Sequence, residues 1–540
     1  MRYQKIVFAF LALIIITAHS YSQNISDAII AGKMIAVVET VSGKLRGYLH
    51  KGIFIYKGIP YAEAERFMAP SKPTPWKNTR TAFTYGPVSP IDPTITVNDE
   101  FEFPFEHNWG YMNEHCQTLN VWTTAINDGK KRPVMVWLHG GGFSAGSSIE
   151  QPGYDGENLS KKGDVVVVSL NHRLNVLGFL DLSAYGDKYK YSPNAGLMDI
   201  VAALEWVKQN IAQFGGDPGN VTIFGQSGGG GKVTSLMYAP SAKGLFHKAI
   251  VQSGSYLSNF TESNVSKRVA AELLNQLGLL PTQIDSLQKV PYDLLSAASK
   301  KAIRKVSDAL KAENKSVGGF GLGWGPIHDG IFLPYQLSEP GAVELAKNIP
   351  LLVGTTKNEF TPFMPNLRDL TMEQVKENLQ KQYGDSVNNY MMAVRKAYPD
   401  ITQPSNYLDI DMRFRPGAIS QANEKSTSGK APVYMYVFSW QSPVNDGIYK
   451  AMHCMEIPFV FNNISRCEEM TGGGKEAYAL ADKMSQAWIN FARFGNPNSK
   501  NLPAWPVYTP ASGATMIFDK NCVVKNHYDD ELLKFASLKL

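Results

Sequence analysis

Two near-continuous apolar runs constrain this chain more than any other feature: "PVMVWLH" (133–139) and "DVVVVSLN" (164–171). A strand with one wet face alternates apolar and polar residues. These runs do not, so they are expected as strands covered on both faces of a sheet. "NVTIFG" (220–225), "HKAIVQSG" (247–254), "IPLLVGTT" (349–356) and "VYMYVFSW" (433–440) read the same way. "LMDIVAALEWVKQNI" (197–211) carries apolar residues at helical spacing, and "EAYALADKMSQAWINFARFG" (476–495) predicts a long helix ending at Gly495. Strands alternating with helices predict an α/β fold: a large, mostly parallel central sheet flanked by helices.

Before that pattern, residues 34–62 alternate apolar and polar residues between glycines, the mark of an antiparallel meander. Residues 66–112, rich in Pro and aromatics, predict a long irregular surface region. The stretches 262–312 and 371–400 predict helical lobes above the sheet. No repeat, charge block or low-complexity linker interrupts the chain, so residues 23–540 are expected to form one domain. The first 22 residues are different. Arg2 and Lys5 precede an apolar run, Ile6–Ala18, and small or polar residues follow at Ser20 and Ser22. This is the layout of a secretory signal peptide, too short to span a bilayer as a helix, and it predicts export to the periplasm or the medium.

The formal charge of +5, +3 after the leader is removed, is small for 540 residues, and no Lys/Arg-dense run points to nucleic acid. Four cysteines, Cys116, Cys454, Cys467 and Cys522, are too few for a disulfide scaffold and show no zinc-like spacing.

Chemistry concentrates at "VTIFGQSGGGGKVTS", which places Ser227 between an apolar run and a helix. Strand, G-x-S-x-G and helix make a nucleophile elbow, in which a strained turn lifts the serine hydroxyl above the sheet. A phosphate loop needs lysine directly after its second glycine; here Gly231 intervenes before Lys232 and Val233 follows it, so the register fails. "VWLHGGGFSAG" sets His139 and three glycines directly after a buried strand. Consecutive glycines bare their N–H groups, as an oxyanion hole requires, which nominates Gly141 and Gly142, with Gly228 after the serine.

A serine hydroxyl also needs an imidazole to take its proton and a carboxylate to orient that imidazole. Downstream lie His247, His328, His453 and His527. His247 comes too early, His527 sits in a polar tail, and His328 is expected to support a pocket or turn. Glu359 ends a predicted buried strand, and His453 is the base that follows it; Asp329 with His453 is the second pairing. Cys454 is expected to pack rather than react, and Glu456 to orient backbone or line a pocket. Trp109, Tyr111, Phe143 and Phe360 would serve equally as gorge lining or as core.

Several segments carry a family resemblance in order: "FIYKGIPYAEAERFMAP", "EHCQTLNVW", "NHRLNVLGFL", "GLMDIVAALEWVKQNIAQFGGDPGNVTIFGQSGGG", "VQSGS", "MHCMEIPFVF" and "WINFARFGNPN". Over roughly residues 35–520 the chain resembles the type-B carboxylesterases, the group of para-nitrobenzyl esterases and cholinesterases. The resemblance implies an α/β-hydrolase fold and ester hydrolysis through an acyl-enzyme. It implies Ser227 as nucleophile, Glu359 as acid, His453 as base, and Gly141, Gly142 and Gly228 as oxyanion donors, with no cofactor or metal. It also implies a small-molecule ester, aryl or apolar, as substrate. Amides or carbamates would use the same machinery, and some relatives on this fold bind without catalysis. Three departures stand out. The family's GESAG is GQSGG here, Lys357 and Asn358 precede the acid where an aspartate is frequent, and Cys116 lacks the upstream cysteine that usually bonds it, so it is expected to be unpaired or differently paired.

Overall fold

The computed structural model describes residues 28–92, 98–255, 259–315 and 321–539; the leader lies outside them. Its centre is an eleven-stranded sheet. In chain order the strands are β1 (Tyr48–His50), β2 (Ile53–Pro60), β3 (Thr118–Thr123), β4 (Arg132–Leu138), β5 (Val166–Leu170) and β6 (Gly216–Gln226). β7 (Lys248–Gln252), β8 (Leu351–Thr356), β9 (Val433–Phe438), β10 (Ala514–Phe518) and β11 (Val523–Asn526) complete it. Across the sheet they run β11-β10-β9-β8-β7-β6-β4-β5-β3-β2-β1. From β10 to β5 all neighbours are parallel. Both edges are antiparallel. This is an α/β-hydrolase fold with a mixed, mostly parallel sheet.

The apolar runs are continuous because successive residues serve opposite layers. Val134 and Val136 face a core with Ile223, Val251 and Val353, under helix α1 (Ala195–Asn210) and helix α2 (Gly228–Met237). Met135 and Trp137 face the other layer with Phe224, Ile250 and Leu352, into which a C-terminal helix, Lys475–Phe494, sends Met484, Trp488 and Phe491. At about 1.5–3 kcal/mol for each fully buried large apolar side chain, both layers are strong holds on the register. Gly495 ends that helix at φ 72°, as its sequence position predicts.

One strand differs from expectation. β6 starts at Gly216, four residues before the expected run at 220–225, because Gly216 already pairs with Arg132 before the register shifts to Val134 opposite Val221. The insertion between β7 and β8 contains α3 (Ser263–Gln276) and α4 (Tyr292–Ala312); that between β8 and β9 contains α5 (Met372–Tyr383) and α6 (Val387–Ala397). Each pair joins an apolar cluster apart from the two that flank the sheet: one around Leu273, Leu287 and Leu295 takes in Phe67, Val176 and Leu180 from earlier in the chain, and the other around Leu379, Tyr390 and Val394 takes in Leu532. Among the described residues no helix is long and apolar enough to cross a membrane.

Candidate active site

Ser227, Gly228, Gly141, Gly142 and Glu359 lie just beyond the C-terminal ends of parallel strands, where α/β sheets bind their ligands. His453 is brought to them from the loop after β9, where Met452 bridges Glu359. Ser227 follows β6 and caps α2 with φ 57° and ψ −125°, a left-handed conformation that a non-glycine residue adopts only when its surroundings enforce it. The enforcement is visible in its neighbours. A Cβ on Gly225 would lie 2.5 Å from the Gly229 carbonyl carbon, and one on Gly229 would lie 2.0 Å from Leu138 O. β4, β6 and α2 therefore meet backbone to backbone, and the Ser227 N–H is fixed to Gln252 O at 2.8 Å.

The glycine loop after β4 sits against this elbow. A Cβ on Gly228 would lie 2.2 Å from Gly142 O, so the two backbones touch. Gly141 and Gly142 have φ of 79° and 61°, which only glycine adopts freely. No hydrogen bond among the described residues takes up the N–H of Gly141, Gly142 or Gly228. Three free donors, close together beside a helix N-terminus, can receive a developing negative charge.

On the other side, the Nδ1 of buried His453 is hydrogen-bonded to Glu359 Oε2. The second Glu359 oxygen accepts the Ser253 hydroxyl at 2.6 Å and the Thr356 N–H at 3.0 Å. Glu359 itself has φ 36°, and its carbonyl accepts the His453 N–H at 2.9 Å, so the two residues are tied by backbone as well. With Nδ1 given to the carboxylate, Nε2 is the accepting nitrogen. The Gln226 amide nitrogen lies 3.3 Å from both ring nitrogens, while among the described residues no hydrogen bond joins Ser227 to His453. Phe360 lies against the imidazole at 4.3 Å and Phe414 stacks on it at 5.3 Å.

The Asp329–His453 alternative is not formed. Asp329 accepts the N–H groups of Ile331, Phe332 and Leu333 in a turn, and His328 holds Glu262 and Pro334 O. His247 accepts the Val221 N–H, and His527 bonds Asp530 near the C-terminus. All four cysteines are unpaired. Cys454 donates to Gln226 Oε1 at 3.1 Å, and burial pushes its thiol well above the usual range, which makes it a poor nucleophile. Of the four candidate gorge aromatics, Phe360 touches His453 and Phe143 packs edge-on against Phe179. Trp109 and Tyr111 stand 38% and 70% exposed.

Several site neighbours carry no local sequence signal. Ser253 is one. Asp411 is another, its carboxyl pushed up to about 7 by burial and by the Glu359 charge. Glu456 is fully buried, accepts Gln252 Nε2 at 3.2 Å, and is likewise raised to about 7, by burial first and Glu359 second. Among the described residues no group of three or more His, Cys, Asp or Glu is placed to hold a metal ion.

The match to known proteins spans nearly the whole molecule. The profile of the Carboxylesterase family covers residues 35–536. This chain belongs to the carboxylesterase family. The para-nitrobenzyl esterase of Bacillus subtilis (strain 168) is 36% identical over 503 residues, 92% of this chain and 97% of that one. Human cocaine esterase is 32% identical over 489 residues, 85% of this chain and 82% of the relative. Among solved structures, an esterase of Clostridium hathewayi described as hydrolysing aliphatic aromatic polyesters superposes with a TM-score of 0.83 at 38% identity, covering 95% of this chain and all of that one. The Geobacillus stearothermophilus carboxylesterase gives 0.73 at 34%, covering 94% of this chain and all of that one. Membership and fold together make the protein a carboxylic ester hydrolase of the serine type.

Proposed function

We propose that Ser227, His453 and Glu359 are the nucleophile, base and acid of this esterase, with Gly141, Gly142 and Gly228 as its oxyanion donors. The observation that carries the reading is the hydrogen-bonded Glu359–His453 pair beside a strained serine and three unused N–H groups. In the first half-reaction Nε2 of His453 takes the Ser227 proton as the oxygen bonds to the ester carbonyl carbon. The carbonyl electrons move onto its oxygen, held by the three N–H groups. Glu359 stabilises the imidazolium without taking its proton. Collapse expels the alcohol, protonated by His453, and leaves an acyl-serine. Water, deprotonated by the same imidazole, then releases the acid and restores the serine. Attack requires the Ser227 hydroxyl within hydrogen-bond reach of His453 Nε2 in the substrate complex.

An apolar or aryl ester fits best as substrate. Phe360 and Phe414 flank the base, and a similar structure is that of an esterase acting on aliphatic aromatic polyesters. The leader pattern of residues 1–22 supports export. The deciding experiment measures hydrolysis of para-nitrophenyl acetate, butyrate and octanoate by the mature protein and by Ser227→Ala. Removing the nucleophile should cost on the order of 10⁶-fold in kcat with the fold intact by circular dichroism. Retained turnover would reject the triad.

A further inference from the structure

A lysine is buried directly behind the glycine loop, and the triad does not use it. Lys232 lies on α2, five residues after Ser227, with no exposed surface. Its ammonium donates to His139 O at 2.8 Å and to Gly140 O at 3.4 Å. The Gly140 carbonyl also lies 2.9 Å from Nδ1 of His139. That carbonyl shares one peptide group with the Gly141 N–H. A peptide is a single conjugated unit, so positive charge on its oxygen draws electron density away from its nitrogen and makes the N–H a stronger donor.

Resting on the reading of the glycine loop as the oxyanion hole, we propose that Lys232 is a positioning residue for that hole. Its ammonium holds the His139 and Gly140 carbonyls and polarises the Gly140–Gly141 peptide, so that the Gly141 N–H binds the tetrahedral oxyanion more strongly than the ground-state carbonyl. The same positive charge, enclosed in the protein interior at Lys232, acts on the oxyanion through space.

The surroundings favour this role over a simple packing one. A methylene chain of this length could fill the same space without the cost of burying a charge, and burial does pull the ammonium down to about 7. The Glu150 carboxylate works against that fall. Glu150 is itself raised by burial and has the His107 ring 3.9 Å away. His139 and His172 stack on each other at 5.1 Å behind the loop; burial and the Lys232 charge keep both imidazoles well below their usual range, and hence neutral. Arg173, also near His172, is occupied by Asp199. Lys232 is thus the cation bonded to the loop.

The test compares Lys232→Met with the wild type in steady-state hydrolysis of para-nitrophenyl butyrate at pH values either side of 7. A trifluoromethyl ketone serves as the second probe, because its adduct with Ser227 is a tetrahedral oxyanion. Loss of the ammonium should lower kcat by ~30-fold while KM moves less than about twofold, the signature of an interaction made in the transition state. Ketone affinity should fall by a similar factor. The wild-type-to-variant ratio should be largest below pH 7 and shrink above it, as the wild-type lysine loses its proton. An unchanged kcat, or a ratio independent of pH, overturns the proposal. If Lys232→Met does not accumulate as folded protein, ketone binding by the wild type decides: weakening as pH rises through about 7 supports the role, and constant affinity rejects it. Ser227→Ala separates the two readings, because turnover lost with that variant but kept by Lys232→Met removes only the role of Lys232.

Discussion

The two halves of the proposed active site are built from different materials. The nucleophile side is backbone: Gly225, Gly228 and Gly229 let β4, β6 and α2 approach so closely that a single added Cβ would sit 2.0–2.5 Å from another peptide group. The acid–base side is side chain. Glu359 is held by Ser253, the Thr356 N–H and His453, and the imidazole is packed by Phe360 and Phe414. A backbone junction has no graded response to substitution, because nothing flexible is available to yield. A side-chain network loses one hydrogen bond at a time.

The comparison therefore predicts a descending series. Gly229→Ala, on the backbone side, should be the most severe. Its methyl meets Leu138 O, and overpacking there should cost ~3 kcal/mol or more. Chemical denaturation should show the loss, together with failure of a fluorophosphonate to label Ser227. A wild-type midpoint would contradict the rigid junction.

Glu359→Gln keeps shape and removes charge. It should leave the denaturation midpoint within reach of wild type but lower kcat by about 10³–10⁴-fold, through loss of the carboxylate that orients and stabilises the imidazole. A fall of only a few-fold would mean that the Glu359–His453 pair is structural. Ser253→Ala removes one of the bonds to Glu359 Oε1 and leaves the Thr356 N–H in place. A hydrogen bond to a charged group is worth about 1.5–3 kcal/mol, so kcat should fall roughly tenfold to a hundredfold, with KM nearly unchanged.

The smallest effect on turnover, but a definite one on stability, belongs to Glu456→Gln. The folded carboxyl is raised to about 7, above the 4.5 of an exposed glutamate, so below the lower value both states are protonated and burial carries no penalty. Between the two values the folded state binds more protons than the unfolded state, and stability falls as pH rises. Above about 7 the full cost is present, about 3 kcal/mol by linkage. The glutamine variant should therefore melt at a higher temperature than wild type above pH 7, with the gap closing towards pH 4.5. A gap independent of pH would show that Glu456 does not titrate in this interval.

The sequence made the two halves unequally legible. The elbow and the glycine loop are local: strand, Gly, Ser, Gly and helix lie within a few residues, and their steric reason is readable from composition. The pair of Glu359 and His453 came from chain order and from the buried strand that precedes the acid. Ser253, Lys232, Asp411 and Phe414 were silent because their roles depend on chain closure. Ser253 meets Glu359 across 106 residues and Lys232 meets His139 across 93, distances over which no periodicity or capping signal operates. The sheet was legible for the converse reason: a strand buried on both faces must be apolar throughout. The start of β6 was not, since "GGDPG" has turn chemistry and its pairing with Arg132 is set by β4.

The separate apolar cores of the two helical insertions have an evolutionary consequence. α3 with α4, and α5 with α6, bury their faces in clusters apart from the two that flank the sheet, the first shared with residues 176–189 and the second with Leu532. Each enters the chain between strands whose ends carry Ser253 or Glu359 and returns to a neighbouring strand. A lineage can vary the outward faces of one, and with them the shape presented to an incoming acyl or alcohol group, while the apolar faces that meet residues 176–189 or Leu532 keep it seated on the framework.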